Sequence, residues 1–125
     1  MKLSVLIENV ASEPGFLAEH GLSLYIETGK HRILFDTGQS GAFVENAGRL
    51  GVELSKVDFV VLSHGHYDHG GGLIRFFEQN SHAPVYVSRS AFAPCYHAER
   101  YIGLDPSLED SSRIVYTGDY FKVDD

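Results

Sequence analysis

Val57-Asp58-Phe59-Val60-Val61-Leu62-Ser63-His64-Gly65-His66-Tyr67-Asp68-His69-Gly70-Gly71-Gly72 is the stretch on which both fold and chemistry turn. Its first six residues are mostly apolar and β-branched, too short for a helix, and read as a buried strand. The turn that follows carries three imidazoles and one carboxylate between positions 64 and 69. Packing does not explain that cluster, because buried histidines need a partner for each ring nitrogen and three neighbours cannot all find one cheaply. A metal ion satisfies them together. Neutral imidazole and carboxylate suit zinc, iron, manganese or nickel, while the absence of nearby thiols speaks against a structural zinc knuckle. A turn leaving a strand can point His64 and His66 to one side and Asp68 and His69 to a second point nearby. That is the arrangement a two-metal site requires, with ions roughly 3.5–4 Å apart. The alternative is a solvated, histidine-rich turn.

Outward from this loop the periodicity gives the other elements. Lys2 to Asn9, Leu22 to Glu27 and Arg32 to Asp36 alternate with period two and predict strands. The last two are joined by Thr28-Gly29-Lys30-His31, a connection of hairpin type. Ala11 to Gly21, broken by Pro14 and Gly15, predicts a loop. Ala42 to Leu50 has Phe43, Ala47 and Leu50 at helical spacing, with Ser40 as N-cap and Gly51 just past the end. Leu73 to Asn80 reads as a second helix, Pro84 to Ser88 and Arg113 to Tyr116 as short strands, and Asp119 to Asp125 as the start of another. The expected class is a mixed α/β layer, a sheet with helices on one face. In such sheets, loops beyond the carboxyl ends of strands are where ligands bind, which is where the histidine cluster falls.

The chain has 125 residues and 13.8 kDa, the size of one domain. At 43% hydrophobic and 22% charged it has a globular rather than disordered composition. Ten Lys plus Arg against seventeen Asp plus Glu leave a net charge of −7, and the basic residues are scattered singly, which excludes a nucleic-acid-coating protein. Apolar runs stay at five residues or fewer, so no segment reads as a membrane span. The start, Met1-Lys2-Leu3-Ser4-Val5-Leu6-Ile7-Glu8, reaches an acid too soon for a signal-peptide core. Cys95, the single cysteine, has no internal disulfide partner, which fits a reducing compartment. A cytoplasmic protein is the expectation, with Cys95 an inert or partly buried thiol.

His64-x-His66-x-Asp68-His69 after a hydrophobic strand resembles the signature of the metallo-β-lactamase superfamily. The resemblance extends to the order of elements: an N-terminal strand, a hairpin ending Ile33-Leu34-Phe35-Asp36-Thr37-Gly38, a helix, then Val57 to His64. His66-Tyr67-Asp68-His69-Gly70-Gly71-Gly72, Tyr101-Ile102-Gly103-Leu104 and Gly118-Asp119-Tyr120 look most like the branch called metal-dependent hydrolases of the β-lactamase superfamily II, which includes a synthase of methanopterin biosynthesis. The resemblance implies the first half of an αββα sandwich. It also implies two divalent ions, most simply zinc, one on His64 and His66 and the other on Asp68 and His69. Asp36 would lie under the metal loop, fixing a histidine or a backbone amide; capping of the Asp36-Thr37-Gly38 turn is the competing reading. Tyr67 either hydrogen-bonds near the site or is an exposed turn tyrosine.

The family's complete fold has two similar halves, and its further histidine ligands lie well downstream. His82 and His97 come too early for those positions; the first reads as a surface-loop residue and the second as part of a solvated helix. Four ligands shared by two ions fall short of the three protein donors usual in a catalytic zinc site. The sheet face that normally meets the second half would be left bare. The chain is therefore expected to be either the N-terminal half of a longer protein or a homo-oligomer whose second copy covers that face and completes the site. The resemblance implies metal-dependent hydrolysis of an ester, amide or phosphoester of a small metabolite, with Asp68 also orienting the nucleophile and taking its proton. Two alternatives use the same ligands: a non-catalytic metal-binding scaffold that self-associates, and an iron-dependent redox protein.

Overall fold

The computed structural model describes residues 1–124. Alternating side chains build β1 (Lys2–Ile7), β2 (Ser23–Glu27) and β3 (Arg32–Phe35), an antiparallel meander that pairs Leu3 with Ile26 and Ile26 with Ile33. Helix α1 (Ala42–Leu50) then carries the chain across, ending at Gly51 with φ 72°. A 3-10 turn at Leu54–Lys56 leads into β4 (Phe59–Val61), which lies parallel to β3. A short helix α2 (Tyr67–Gly70) and then α3 (Leu73–Gln79) precede β5 (Val85–Ser88). The hairpin β6 (Tyr96–His97) and β7 (Arg100–Tyr101) stands apart, and β8 (Ile114–Thr117) closes the sheet in the order β1-β2-β3-β4-β5-β8. Among the described residues, no helix is long and apolar enough to cross a membrane.

The pleat sorts side chains between two faces. Leu6, Tyr25, Leu34, Val60, Val85 and Ile114 form the buried row, in one cluster with Phe43 and Ala47 of α1 and Leu73 and Phe76 of α3. That is the expected layer with helices on one face. The opposite face presents two apolar rows in register. Val5, Leu24, Phe35, Val61, Tyr86 and Val115 form one, and Leu3, Ile26, Ile33 and Phe59 the other. Its outer edge is open, with Leu3 53% and Val5 43% exposed.

Several expectations are corrected. Residues 119–124 form no strand: the Phe121 ring packs on Tyr86 at 4.9 Å, and the Asp124 carboxylate meets His31 Nε2, so this segment crosses the apolar face instead of extending an edge. Asp125 lies outside the described residues. Ser40 is not the N-cap residue of α1. The N-cap position is Gly41, one residue later; the Ser40 hydroxyl still accepts from the Ala42 amide at 3.3 Å while donating to Glu19 Oε2 at 2.6 Å. His97 sits in strand β6 rather than on a helix, held by the Tyr96–Tyr101 pairing. His82, by contrast, is exposed in the loop entering β5 as expected, at the end of a parallel strand opposite to the candidate metal loop.

Asn46, 2% exposed on α1, ties the long β1–β2 connection to the core. Its Nδ2 donates to the carbonyls of Leu6 (2.7 Å) and Leu17 (2.8 Å), and its Oδ1 accepts from the Leu17 amide at 2.9 Å. Asn46→Ala strands these buried backbone groups and is expected to lower stability by about 2–3 kcal/mol in urea denaturation; an unchanged midpoint would contradict this role.

Candidate metal centre

The site is assembled where two parallel strands end side by side. β3 stops at Phe35 and β4 at Val61, and the Asp36 amide donates to the Val61 carbonyl at 2.9 Å, which locks the two exits together. Asp36 adopts φ 59°, a left-handed conformation that Asp tolerates better than most residues, and this turns its side chain under the metal loop. There it is fully buried and accepts from three donors. Oδ1 takes the Ser63 amide at 2.7 Å, and Oδ2 takes the Ser63 hydroxyl at 2.6 Å and His69 Nδ1 at 2.7 Å.

Those bonds set the tautomer of two imidazoles. His69 donates its Nδ1 proton to Asp36, so in the neutral ring Nε2 is the nitrogen that carries the lone pair. Ser63 gives its own proton to Asp36, so its oxygen is left to accept from His64 Nδ1 at 2.8 Å, which places the lone pair of the neutral His64 ring on Nε2 as well. Burial, with the His69 and His66 rings beside it, holds His64 below the ordinary histidine pKa against the opposing pull of Asp36 and Asp68. That shift favours the neutral ring, the form in which an imidazole can ligate a metal.

His64, Asp68 and His69 each offer a ligand atom within 4.8 Å of the other two. His69 Nε2 lies 3.5 Å from Asp68 Oδ2, and the His64 and His69 ring centres are 4.2 Å apart. These two nitrogens and a carboxylate fit a borderline divalent cation. His66 stands beside the trio, its ring 4.7 Å from that of His64, with its Nε2 3.3 Å from the sulfur of Cys95. The expected absence of thiols near the cluster is corrected by this contact. The tertiary fold brings in a cysteine 29 positions away, which no local spacing announces. It arrives because the 91–104 segment packs tightly on the metal loop. A Cβ on Gly65 would lie 1.9 Å from the Ala91 carbonyl oxygen, the Tyr67 amide donates to Ile102 O at 2.9 Å, and His66 bridges Gly103.

Tyr67 is half-buried at the start of α2, with the Arg100 guanidinium 4.8 Å from its ring centre, so it is not the freely exposed turn residue expected. His20, which sequence reasoning passed over, reaches Asp68: its Nε2 is 3.0 Å from Oδ2. Nothing local marks it, since it sits in an irregular loop far from the cluster in sequence.

Residues 18–125 match the family model described as the metallo-beta-lactamase superfamily. An uncharacterized protein of Methanocaldococcus jannaschii is 38% identical over 109 residues, covering 86% of this chain and 42% of that protein. From the same organism, 7,8-dihydropterin-6-methyl-4-(beta-D-ribofuranosyl)-aminobenzene-5'-phosphate synthase is 32% identical over 106 residues, covering 79% of this chain and 36% of the synthase. The crystal structure of Tm1679, a metal-dependent hydrolase of the beta-lactamase superfamily, superposes with a TM-score of 0.68 at 34% identity, covering 96% of this chain and 41% of that one. The chain thus spans about two-fifths of the length of the relatives it matches.

Asp36→Asn keeps the shape but turns an acceptor into a donor facing donors, because all three partners donate to the native carboxylate. A loss of about 2–3 kcal/mol is expected in chemical denaturation of the metal-free chain. A variant as stable as the parent would contradict the hydrogen-bond assignment.

Proposed function

Because the chain belongs to the metallo-beta-lactamase superfamily, we propose that it is the metal-binding part of a metal-dependent hydrolase acting on an ester, amide or phosphoester of a small metabolite. The observation that carries this reading is the trio of His64, Asp68 and His69, with both imidazoles engaged at Nδ1 so that Nε2 is the nitrogen left to ligate. His66 adds a fourth donor beside them. The set suits two divalent ions, zinc first, with iron, manganese or nickel tolerated by the same donors. Bound there, such ions supply a Lewis acid for the attacked bond and a water acidified toward neutrality. Asp68 orients the attacking water and takes its proton; Asp36 and Ser63 keep the imidazoles turned and correctly protonated.

A small phosphorylated substrate is favoured by the M. jannaschii synthase, whose name describes a phosphorylated dihydropterin. Four residues are too few to give three protein donors to each of two ions. The remaining donors then come from a segment outside this chain or from a second copy. The second source is favoured by the open apolar edge at Leu3 and Val5, which a homodimer would cover.

Elemental analysis after reconstitution should find transition metal at one equivalent or more, with turnover of a phosphodiester or lactone panel that His66→Ala removes. Less than about a tenth of an equivalent would contradict a site with this donor set, and metal without turnover would favour the non-catalytic scaffold.

A further inference from the structure

We propose that His20 is a positioning residue of the metal centre: it fixes the rotation of the Asp68 carboxylate and so prepares it for the cation. The inference rests on the metal-binding reading above. His20 is 64% exposed at its side chain, so it contributes little to the core, yet its Nε2 stands 3.0 Å from Asp68 Oδ2, itself only 13% exposed. An N–H donated to that oxygen sets which lone pairs of the carboxylate face His69, whose Nε2 lies 3.5 Å from the same atom. A ligating carboxylate held by an outer hydrogen bond binds metal better than one free to rotate.

The residues on either side of His20 are clamped, which fixes where its backbone sits relative to Asp68. Before it, the Glu19 carboxylate accepts from the amides of Gln39 and Ser40, each at 3.1 Å, and from the Ser40 hydroxyl at 2.6 Å. The Glu19 amide donates to Glu8 O at 3.3 Å. After it, the Gly21 amide donates to Asn9 Oδ1 at 3.1 Å. Gly21 has φ +146° and lies where a Cβ would come within 2.2 Å of the Asp68 carbonyl oxygen, so only glycine lets the loop reach the metal helix. Earlier in the loop, Leu17 is held through both its amide and its carbonyl by Asn46. An irregular segment fastened at this many points, with an exposed imidazole delivered to a metal-loop carboxylate, is built to place that imidazole. Its site is neither of the groups the sequence pattern singles out: His20 acts through Asp68 rather than as a member of the trio.

Cobalt(II) titration of the chain tests this with a readout other than turnover. The wild type should develop visible d–d absorption, and Asp68→Ala should abolish it. His20→Ala should weaken cobalt binding about tenfold and shift the absorption maximum, with the denaturation midpoint of the metal-free chain unchanged. His20→Gln, whose amide can donate to Asp68, should recover most of the affinity. Wild-type affinity and spectrum in His20→Ala would overturn the inference alone. A lowered metal-free midpoint, with no recovery in His20→Gln, would also overturn it, since His20 would then be a purely structural residue. No cobalt uptake by the wild type would overturn both this inference and the metal-binding reading on which it rests.

Discussion

A carboxylate buried without solvent must be repaid by hydrogen bonds, and Asp36 collects three donors from the one segment that carries the chemistry. That debt organises the site. The Ser63 amide anchors the exit from β4, the Ser63 hydroxyl relays the polarity of Asp36 to His64, and His69 is drawn down from α2 on the far side of the loop. Histidines five positions apart in a turn would sample many orientations; tied to one buried carboxylate, two of the rings are both engaged at Nδ1. The cost is local. Asp36 holds a left-handed backbone conformation and is fully buried, so each of its three donors matters to it.

The sheet makes this possible by geometry. β3 and β4 are parallel neighbours, so both end at the same edge, and the crossover helix α1 covers the opposite face without entering the site. β5 ends beside them and releases the 91–104 segment over the metal loop, which delivers Cys95 to His66 and Arg100 to Tyr67. The β1–β2 connection approaches from the other flank and delivers His20. The two apolar rows on the far side of the sheet face away from the helices, and residues 118–124 cross part of them through Phe121.

Where local pattern and tertiary demand agree, the sequence was legible. The alternation of β1 to β3, the β-branched run into the metal loop and the helical spacing of Phe43 and Ala47 all reappear in the structure, because each reflects burial of one face. The candidate metal loop stood out in the sequence because its residue types are costly to cluster, and the structure brings His64, Asp68 and His69 together. What escaped depends on distant partners. Ser40 accepts from the first helical amide, as its chemistry suggests, but the cap position falls one residue later at Gly41 and Glu19 from another loop takes the Ser40 proton. His97 has no apolar periodicity around it, and its strand exists only through pairing across a short hairpin. Cys95 and His20 become part of the site through segment packing, and neither carries a spacing relative to the cluster that would announce it. Asp119 to Asp125 alternates weakly, yet among the described residues the Phe121 ring lies on Tyr86 across the sheet face rather than in a strand.

The central claim is that a single buried carboxylate dictates the proton positions of two imidazoles before any cation arrives. Long-range 1H–15N correlation spectra of the metal-free protein at neutral pH read those positions directly. The account predicts that the neutral forms of His64 and His69 both carry their proton at Nδ1 rather than Nε2. Spectra placing the proton on Nε2 of either ring, or showing both rings averaging between the two forms, would contradict it.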